Sequence, residues 1–566
     1  MSLIGSLNLG SSALAVSQAA LQVTGNNISN AGNADYTRQV SDLTTRPDQQ
    51  IEPGMFMGTG VDLSGISRQI DQALEERIRS STSDNQSAQT TQQYLSRVET
   101  TLNGLGDNNL STQFDQFFTA WSNLANKPQD MSLRQVVLQD GSALAEEFNS
   151  ERSQLINVQT DIDSRLATQA KSANDLAQQV ADLNGQIATA GGGAGQPNGL
   201  LDKRDAVLKQ LSQLVNIKTV PQANGTVNVY IGSEMLVTNT TNRGLTLTSQ
   251  PTANGPVPQL VFTADNGAVP ATSGELGSLL SVRPQIGNVV NQVDSLAGSM
   301  VFQLNKIHAS GQGLDGITSA TASNVVTDPT AALNSSAAGL PFAANNGSFV
   351  VHVNNTATGQ ETSTLVQVDL DGLNNNDTTL NSLAASLNAI NGVSATISGG
   401  RLTVAAGSSG SQLTFSQDSS GVLAALGINN FFTGKNAADI TVSSTLQGNP
   451  SLIAASKNGD SADNQTALAI AALQTQSVSS LNGSSLKDSY QAMVDQVAGQ
   501  VATANTNVTA SQSVHDTLSA QHDALSGVSL DEEAVNLVRQ QRAFQGAARL
   551  VSTVDQMMQT LLAMPI

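Results

Sequence analysis

The chain has 566 residues, a formal net charge of −20 and no cysteine. Its length allows three or four domains, and the missing cysteine excludes disulfides, thiolate catalysis and cysteine-ligated metals. The acidic balance lacks the basic footprint that nucleic acids and anionic membrane surfaces require. Only 12% of residues are charged, so Ser, Thr, Asn and Gln must form much of the surface. Such a surface gives little long-range repulsion and suits packing beside copies of itself. No apolar run approaches the roughly 20 residues of a membrane span. No Lys or Arg precedes Arg38 and no continuous apolar block follows Met1, so no cleaved secretory signal is expected.

Proline is confined to the middle: none precedes Pro47, and only Pro565 follows Pro450. Both ends therefore lack the strongest helix breaker. Leu3 to Asn27 is expected to form one helix with two apolar seams. Leu7, Leu14, Leu21 and Ile28 make the first; Leu9, Ala13, Val16, Ala20 and Val23 make the second on another face. A helix apolar on two faces needs burial on both sides. A further seam runs from Leu155 through Leu166, Leu176 and Leu183 to Ile187, before a glycine-rich break at 191–195. Thr226 to Val237 and Leu245 to Phe262 alternate as strands, with a turn at Asn224-Gly225. Between Ser319 and Gly448, strands are expected near Phe349–Val353, Leu365–Asp369, Ala395–Ile397, Leu402–Val404 and Leu413–Phe415. Short helices fit Thr379–Ile390 and Gly421–Leu426. Leu486 to Leu525 returns to helix. Near the end, Leu530, Leu537, Phe544, Val551 and Met558 repeat by sevens, while Ala543, Ala547, Leu550, Val554, Met557 and Leu561 form a second seam. Ser529 before Asp531, Glu532 and Glu533 is a good start for that helix.

The expected fold is mainly α: an elongated multi-domain rod whose long N- and C-terminal helices pair in a coiled-coil or helical-bundle core, with an inserted β-rich (α+β) domain. Residues 1–45 with 515–566 would form a discontinuous terminal assembly domain. Residues 46–318 with 449–514 would form a helical-bundle rod carrying β-hairpins near 217–275. Residues 319–448 would be the inserted surface domain.

The stretch Asn26-Asn27-Ile28-Ser29-Asn30, then Tyr36-Thr37-Arg38-Gln39, resembles the signature after the first helix of bacterial flagellar axial proteins. Asn536-Leu537 through Phe544, Ala547-Ala548, Met557 and Leu561 is similar to their C-terminal helix. The interior motifs Leu200–Asp205, Leu211–Leu214, Val227–Gly232 and Gly274–Leu280 are similar to the members that join hook to filament. The segment 319–448 resembles a flagellin-type insert. Asp35 stands where the family usually has Gly, and Phe544 where it usually has Tyr. The resemblance implies a structural, non-enzymatic subunit of the extracellular flagellum, secreted unfolded by type III export. It implies a homo-oligomeric junction ring, contacts to the hook protein and to the second junction protein, and a cytoplasmic export chaperone on the C-terminal helix. The implied assembly interface comprises Leu7, Leu14, Leu21, Ile28, Asn26, Asn27, Asn30, Tyr36 and Arg38 with Leu537, Phe544, Leu550, Val551, Val554, Met557, Met558 and Leu561. Residues 1–45 and 515–566 are expected to be poorly ordered in the free monomer and to become helical on assembly.

No cofactor, metal or catalytic set is expected. Gly311, Gly313 and Gly316 match a dinucleotide pattern but follow a helix where that site needs a strand. Asp369, Asp371 and Gly372 have the wrong offset for an EF-hand and fit a strand-end turn. His515 and His522 lie about 10 Å apart along one helix, too far to share a metal unaided. Trp121 is expected in a bundle core. The alternatives are another axial protein (the second junction protein or a filament subunit), a wall hydrolase with its site in 319–448, or an adhesive surface module.

Overall fold

The computed structural model describes residues 3–103, 109–191, 196–252 and 255–564. Most of the glycine-rich break at 191–195, and Pro565, lie outside them. Helix accounts for 54% of the described residues, with several small sheets beside it, so the fold is mainly α.

The chain opens with α1 (Leu3–Ser29), followed by β1 (Gln39–Thr45), β2 (Gln49–Glu52), β3 (Met55–Met57) and β4 (Val61–Arg68). β1 pairs antiparallel with β4 and β2 with β3, a double hairpin the helical periodicities gave no sign of. Then come α2 (Gln72–Asn103), α3 (Leu110–Asn126), the 60-residue α4 (Met131–Ala190) and α5 (Asn198–Leu214). Strands β5 (Ile217–Pro221), β6 (Val227–Ile231), β7 (Glu234–Thr238) and β8 (Thr241–Asn242) form a sheet in that order, and β9 (Leu245–Thr252) pairs with β10 (Gly255–Phe262). The β5–β6 turn closes as expected: Gly225 sits at φ 82°, and the Thr226 amide donates to Asn224 Oδ1 at 3.2 Å. Alternation along β6 buries Val227, Val229 and Ile231.

After α6 (Gly274–Ala309) come β11 (Ser319–Thr321), β12 (Gly347–Asn355), β13 (Gln360–Val368), α7 (Leu380–Asn388), β14 (Val393–Ser398), β15 (Arg401–Ala406), β16 (Ser411–Ser416) and α8 (Val422–Leu426). β12 lies between β13 and β16, and β15 between β11 and β14. Every strand and helix expected between 349 and 426 is present. α7 starts where Thr379 and Ser382 cap each other: Thr379 Oγ1 accepts from the Ser382 amide, and Ser382 Oγ from the Thr379 amide. One apolar core drawn from residues between Ala309 and Ile428 holds this segment together. The short pair β17 (Phe432–Thr433) and β18 (Thr441–Val442), then α9 (Ser444–Gly448) and α10 (Gln465–Ala472), lead to α11 (Leu486–Ser526) and α12 (Leu530–Leu562).

The chain forms two compact units. One comprises Met1–Gln93, Asp161–Val282 and Ala502–Ile566; in it α1 packs against α12 and against β1 and β4. The other comprises Tyr94–Thr160 and Arg283–Val501. Its aromatic core is centred on Trp121, which is fully buried with ring centroids 5.4 Å from Phe431 and 6.3 Å from both Phe117 and His308. Trp121 is thus the core anchor its apolar neighbours implied. His308 is equally buried: its Nδ1 lies 2.8 Å from the Asn429 carbonyl, and its Nε2 accepts from the Ala454 amide at 3.0 Å. Burial pushes its imidazole down to about 4, so the ring is neutral. Gly311 and Gly313, the start of the dinucleotide-like pattern, lie in the loop after α6. A Cβ at 313 would run into the Ser451 carbonyl, so close backbone packing accounts for that glycine.

Candidate assembly interface

In the second seam of α1, Val16, Ala20 and Val23 are buried and Leu9 and Ala13 half-buried. Leu7, Leu14, Leu21 and Ile28 of the first seam are half-buried. On α12, Ala547 and Val554 are buried, while Leu537, Phe544, Val551 and Met558 are half-buried. Leu550, Met557 and Leu561 remain 38%, 49% and 59% exposed. The single chain therefore covers one flank of the α12 stripe and leaves the neighbouring flank open, as a two-seamed helix requires.

The helices meet closely at one end. A Cβ on Gly10 would lie 2.7 Å from Val551 Cγ2, so only glycine lets α12 approach at that point. At the other end the contact is polar. Asn27, 1% exposed, accepts from the Tyr36 hydroxyl at 2.7 Å and from the Gln39 amide at 3.0 Å. Its Nδ2 donates to the Gln39 carbonyl at 2.9 Å and to Glu533 Oε2 at 3.2 Å. Glu533, 2% exposed, also receives Arg38 through Nε at 2.9 Å and Nη2 at 2.8 Å, while Arg38 Nη1 reaches Glu532 at 3.0 Å. The Arg38 amide donates to the Ser526 carbonyl at 2.9 Å. Glu533 lies in the first turn of α12, capped by Ser529, where the helix dipole also favours an anion. Asn30 donates back to the Asn26 carbonyl at 2.9 Å and closes the turn. Burial, with Asp202 and Glu533 nearby, pushes the Tyr36 phenol up to about 12, which keeps it a donor.

A second ionic group adjoins the first. Arg68, at the end of β4, pairs with Asp202 at 2.9 Å and Asp205 at 2.7 Å, both on α5. Burial raises the Asp202 carboxyl, and hydrogen bonds from Arg68 and Thr37 oppose that rise. The Leu200–Asp205 motif and the Tyr36–Gln39 signature, read separately in the sequence, thus meet around Thr37 and Asp202.

The sequence reading missed Glu533 as a partner and took it as a dipole acid. It also missed Arg68 and Gly10. The available signal was an arginine two residues after Tyr36 and an acid pair at the start of the last helix. α1 and α12 pair within one chain, where Asn27, Arg38 and Glu533 satisfy one another.

Other clusters carry less. A cavity of about 1120 Å³ is lined by Arg68, Arg79, Arg204, Glu76 and Asp205, whose charges pair largely among themselves. Asp369 and Asp371 are joined by Asp377, with carboxylate oxygens within 4.8 Å of one another. Asn376 and the Gly372 and Leu373 amides donate to these acids, as a strand-end turn would. His352, on β12, has Glu361 at 2.7 Å from Nδ1 and Ser416, itself buried, at 2.7 Å from Nε2.

The family model for the flagellar hook-associated protein FlgK helical domain matches residues 95–322, and that for the flagellar basal body rod FlgEFG protein C-terminal matches 521–564. Flagellar hook-associated protein 1 of Escherichia coli (strain K12) is 26% identical over 570 residues, spanning 98% of this chain and 99% of that protein. Similarity to flagellar hook-associated protein 1 thus runs along nearly the whole chain. Flagellar hook-associated protein 1 of Bacillus subtilis (strain 168) is 31% identical over 300 residues, 50% of this chain and 56% of that protein. The solved flagellar hook junction protein FlgK from Burkholderia pseudomallei, 16% identical, has a TM-score of 0.50 and is matched over its whole length and 80% of this chain. That likeness is one of fold. The segment matched by the FlgEFG C-terminal model contains the whole of α12 and its open apolar flank.

Proposed function

We propose that this chain is the structural subunit that joins flagellar hook to filament, carrying its role by helix packing and not by catalysis. The observation that carries this reading is the pairing of α1 with α12 across the two chain ends, which leaves Leu550, Met557 and Leu561 open for a further neighbour. End-to-end similarity to hook-associated protein 1 supports it. In this reading the subunit reaches the extracellular flagellum by type III export and forms a homo-oligomeric ring. One edge of the ring meets the hook protein and the other the second junction protein. A chaperone shields the open α12 flank in the cytoplasm, since exposed apolar stripes of this kind invite association. Leu7, Leu14, Leu21 and Ile28 of α1, with Leu537, Phe544, Val551 and Met558 of α12, complete their burial between subunits. The α+β segment 319–448 serves as an outward surface domain.

Deleting the gene in its host tests this. The expected outcome is complete hooks without filaments, with unassembled filament protein in the medium. Normal filaments would instead favour another axial role.

A further inference from the structure

Apolar residues recur by sevens on both terminal helices, at Leu7, Leu14 and Leu21 on α1 and at Leu537, Phe544 and Val551 on α12. Sliding one helix by seven residues would lay each seam on itself again, so the apolar pattern leaves the pairing register open. Two features break that degeneracy, one at each end of the contact. Asn27 meets the buried Glu533, and Gly10 meets Val551. These pairs fix an antiparallel alignment, and the intervals agree. Gly10 to Asn27 is 17 residues and Glu533 to Val551 is 18, roughly 26 and 27 Å of helix at ~1.5 Å per residue. One register therefore satisfies both pairs. A seven-residue slide would take Glu533 away from Arg38 and Asn27, leaving a buried carboxylate unpaired. It would also bring Phe544 or Met558 to the level of Gly10.

We infer that Gly10 and Glu533, with Asn27 and Arg38 as partners of the carboxylate, are positioning residues that set the register of α1 on α12. Buried polar groups act this way in other helix pairs, selecting one alignment where apolar residues accept several. The register belongs to the single chain; its consequence, a fixed set of faces offered to the next subunit, rests on the junction role proposed above.

The chain has no cysteine, so introduced thiols report without background. In the intact chain, Ala13→Cys with Ala547→Cys reads the observed register, and Ala13→Cys with Val554→Cys reads a seven-residue slide. A short bifunctional thiol reagent should favour the first pair by about ten-fold or more, the ratio that ~1.4 kcal/mol gives. Adding Gly10→Leu and Glu533→Lys should bring the two yields together. Adding Arg38→Glu to Glu533→Lys should restore much of the preference. If these changes lower both yields and leave their ratio unmoved, the residues only stabilise the contact and the inference fails. Equal yields in the unaltered background would also overturn it. The ratio is measured on isolated protein, so its failure leaves the gene-deletion result standing, and the reverse holds too.

Discussion

Glu151 shows how much one side chain can weigh. It lies on α4, 2% exposed, with Oε1 lacking a hydrogen-bond partner. Burial, reinforced by Glu147, pushes its carboxyl well above the ordinary range. The folded chain therefore holds this proton more tightly than the unfolded chain does. Its contribution is most favourable below the ordinary carboxyl range and is lost as pH rises toward the raised value. Glu151→Gln should stabilise the protein at neutral pH by about 1–3 kcal/mol, because the amide has no ionised form that folding must suppress. The gain should vanish in acid, where both side chains are neutral, and urea unfolding at two pH values checks it. Residue-level outcomes of this kind were only partly legible beforehand. Trp121 could be placed in a core because Phe117, Phe118 and Leu124 flank it. Glu151 looked like any exposed acid on a helix, because nothing local reveals which face a neighbour covers.

Elements are held to one another by a few specific ties. α11 is fixed to α2 by the small cluster of Leu74, Ile78 and Leu518 and by His522 Nε2, 3.0 Å from Glu75 Oε1. The hydrogen bond to Glu75 raises the His522 pKa, and Asp523 adds to that. With the folded value raised, the stabilisation is complete below the ordinary histidine range and is lost as pH rises through the folded value. Amide exchange around 515–526 should therefore quicken between pH ~6 and ~8 beyond its intrinsic pH dependence. His522→Ala should remove that extra dependence. The helices were foreseeable from seams spaced by three, four and seven residues. The hairpins between 39 and 68 were not: strands β2 and β3 leave Ile51, Met55 and Phe56 exposed, so they lack the alternation that betrays a half-buried strand.

Across the whole molecule, the two units draw on different stretches of chain, and Trp121, the single tryptophan, reports on one of them. α12 belongs to the other. A chain ending at Gly527 loses the partner of α1 and strands Arg38 and Asn27. Its helical signal should melt earlier, while the Trp121 fluorescence transition stays within a few degrees of the full chain's. If both transitions fall together, the units are coupled more tightly than their separate cores imply.

The sequence by itself determined the mainly helical fold, the strand-rich middle, and the two end motifs that point to flagellar axial proteins, because periodicity and turn chemistry are local properties. Seams of small and branched residues also showed that each end helix needs neighbours on two faces. Only the tertiary structure decided which neighbours those are. It joined Asn27 to Glu533 and Gly10 to Val551, more than 500 positions apart in the chain, and it set Thr37 beside Asp202. Such pairings depend on desolvation and close approach between segments that local sequence cannot relate. A repeat of seven specifies a face without specifying its partner, and it takes a buried charge and a missing side chain to do that.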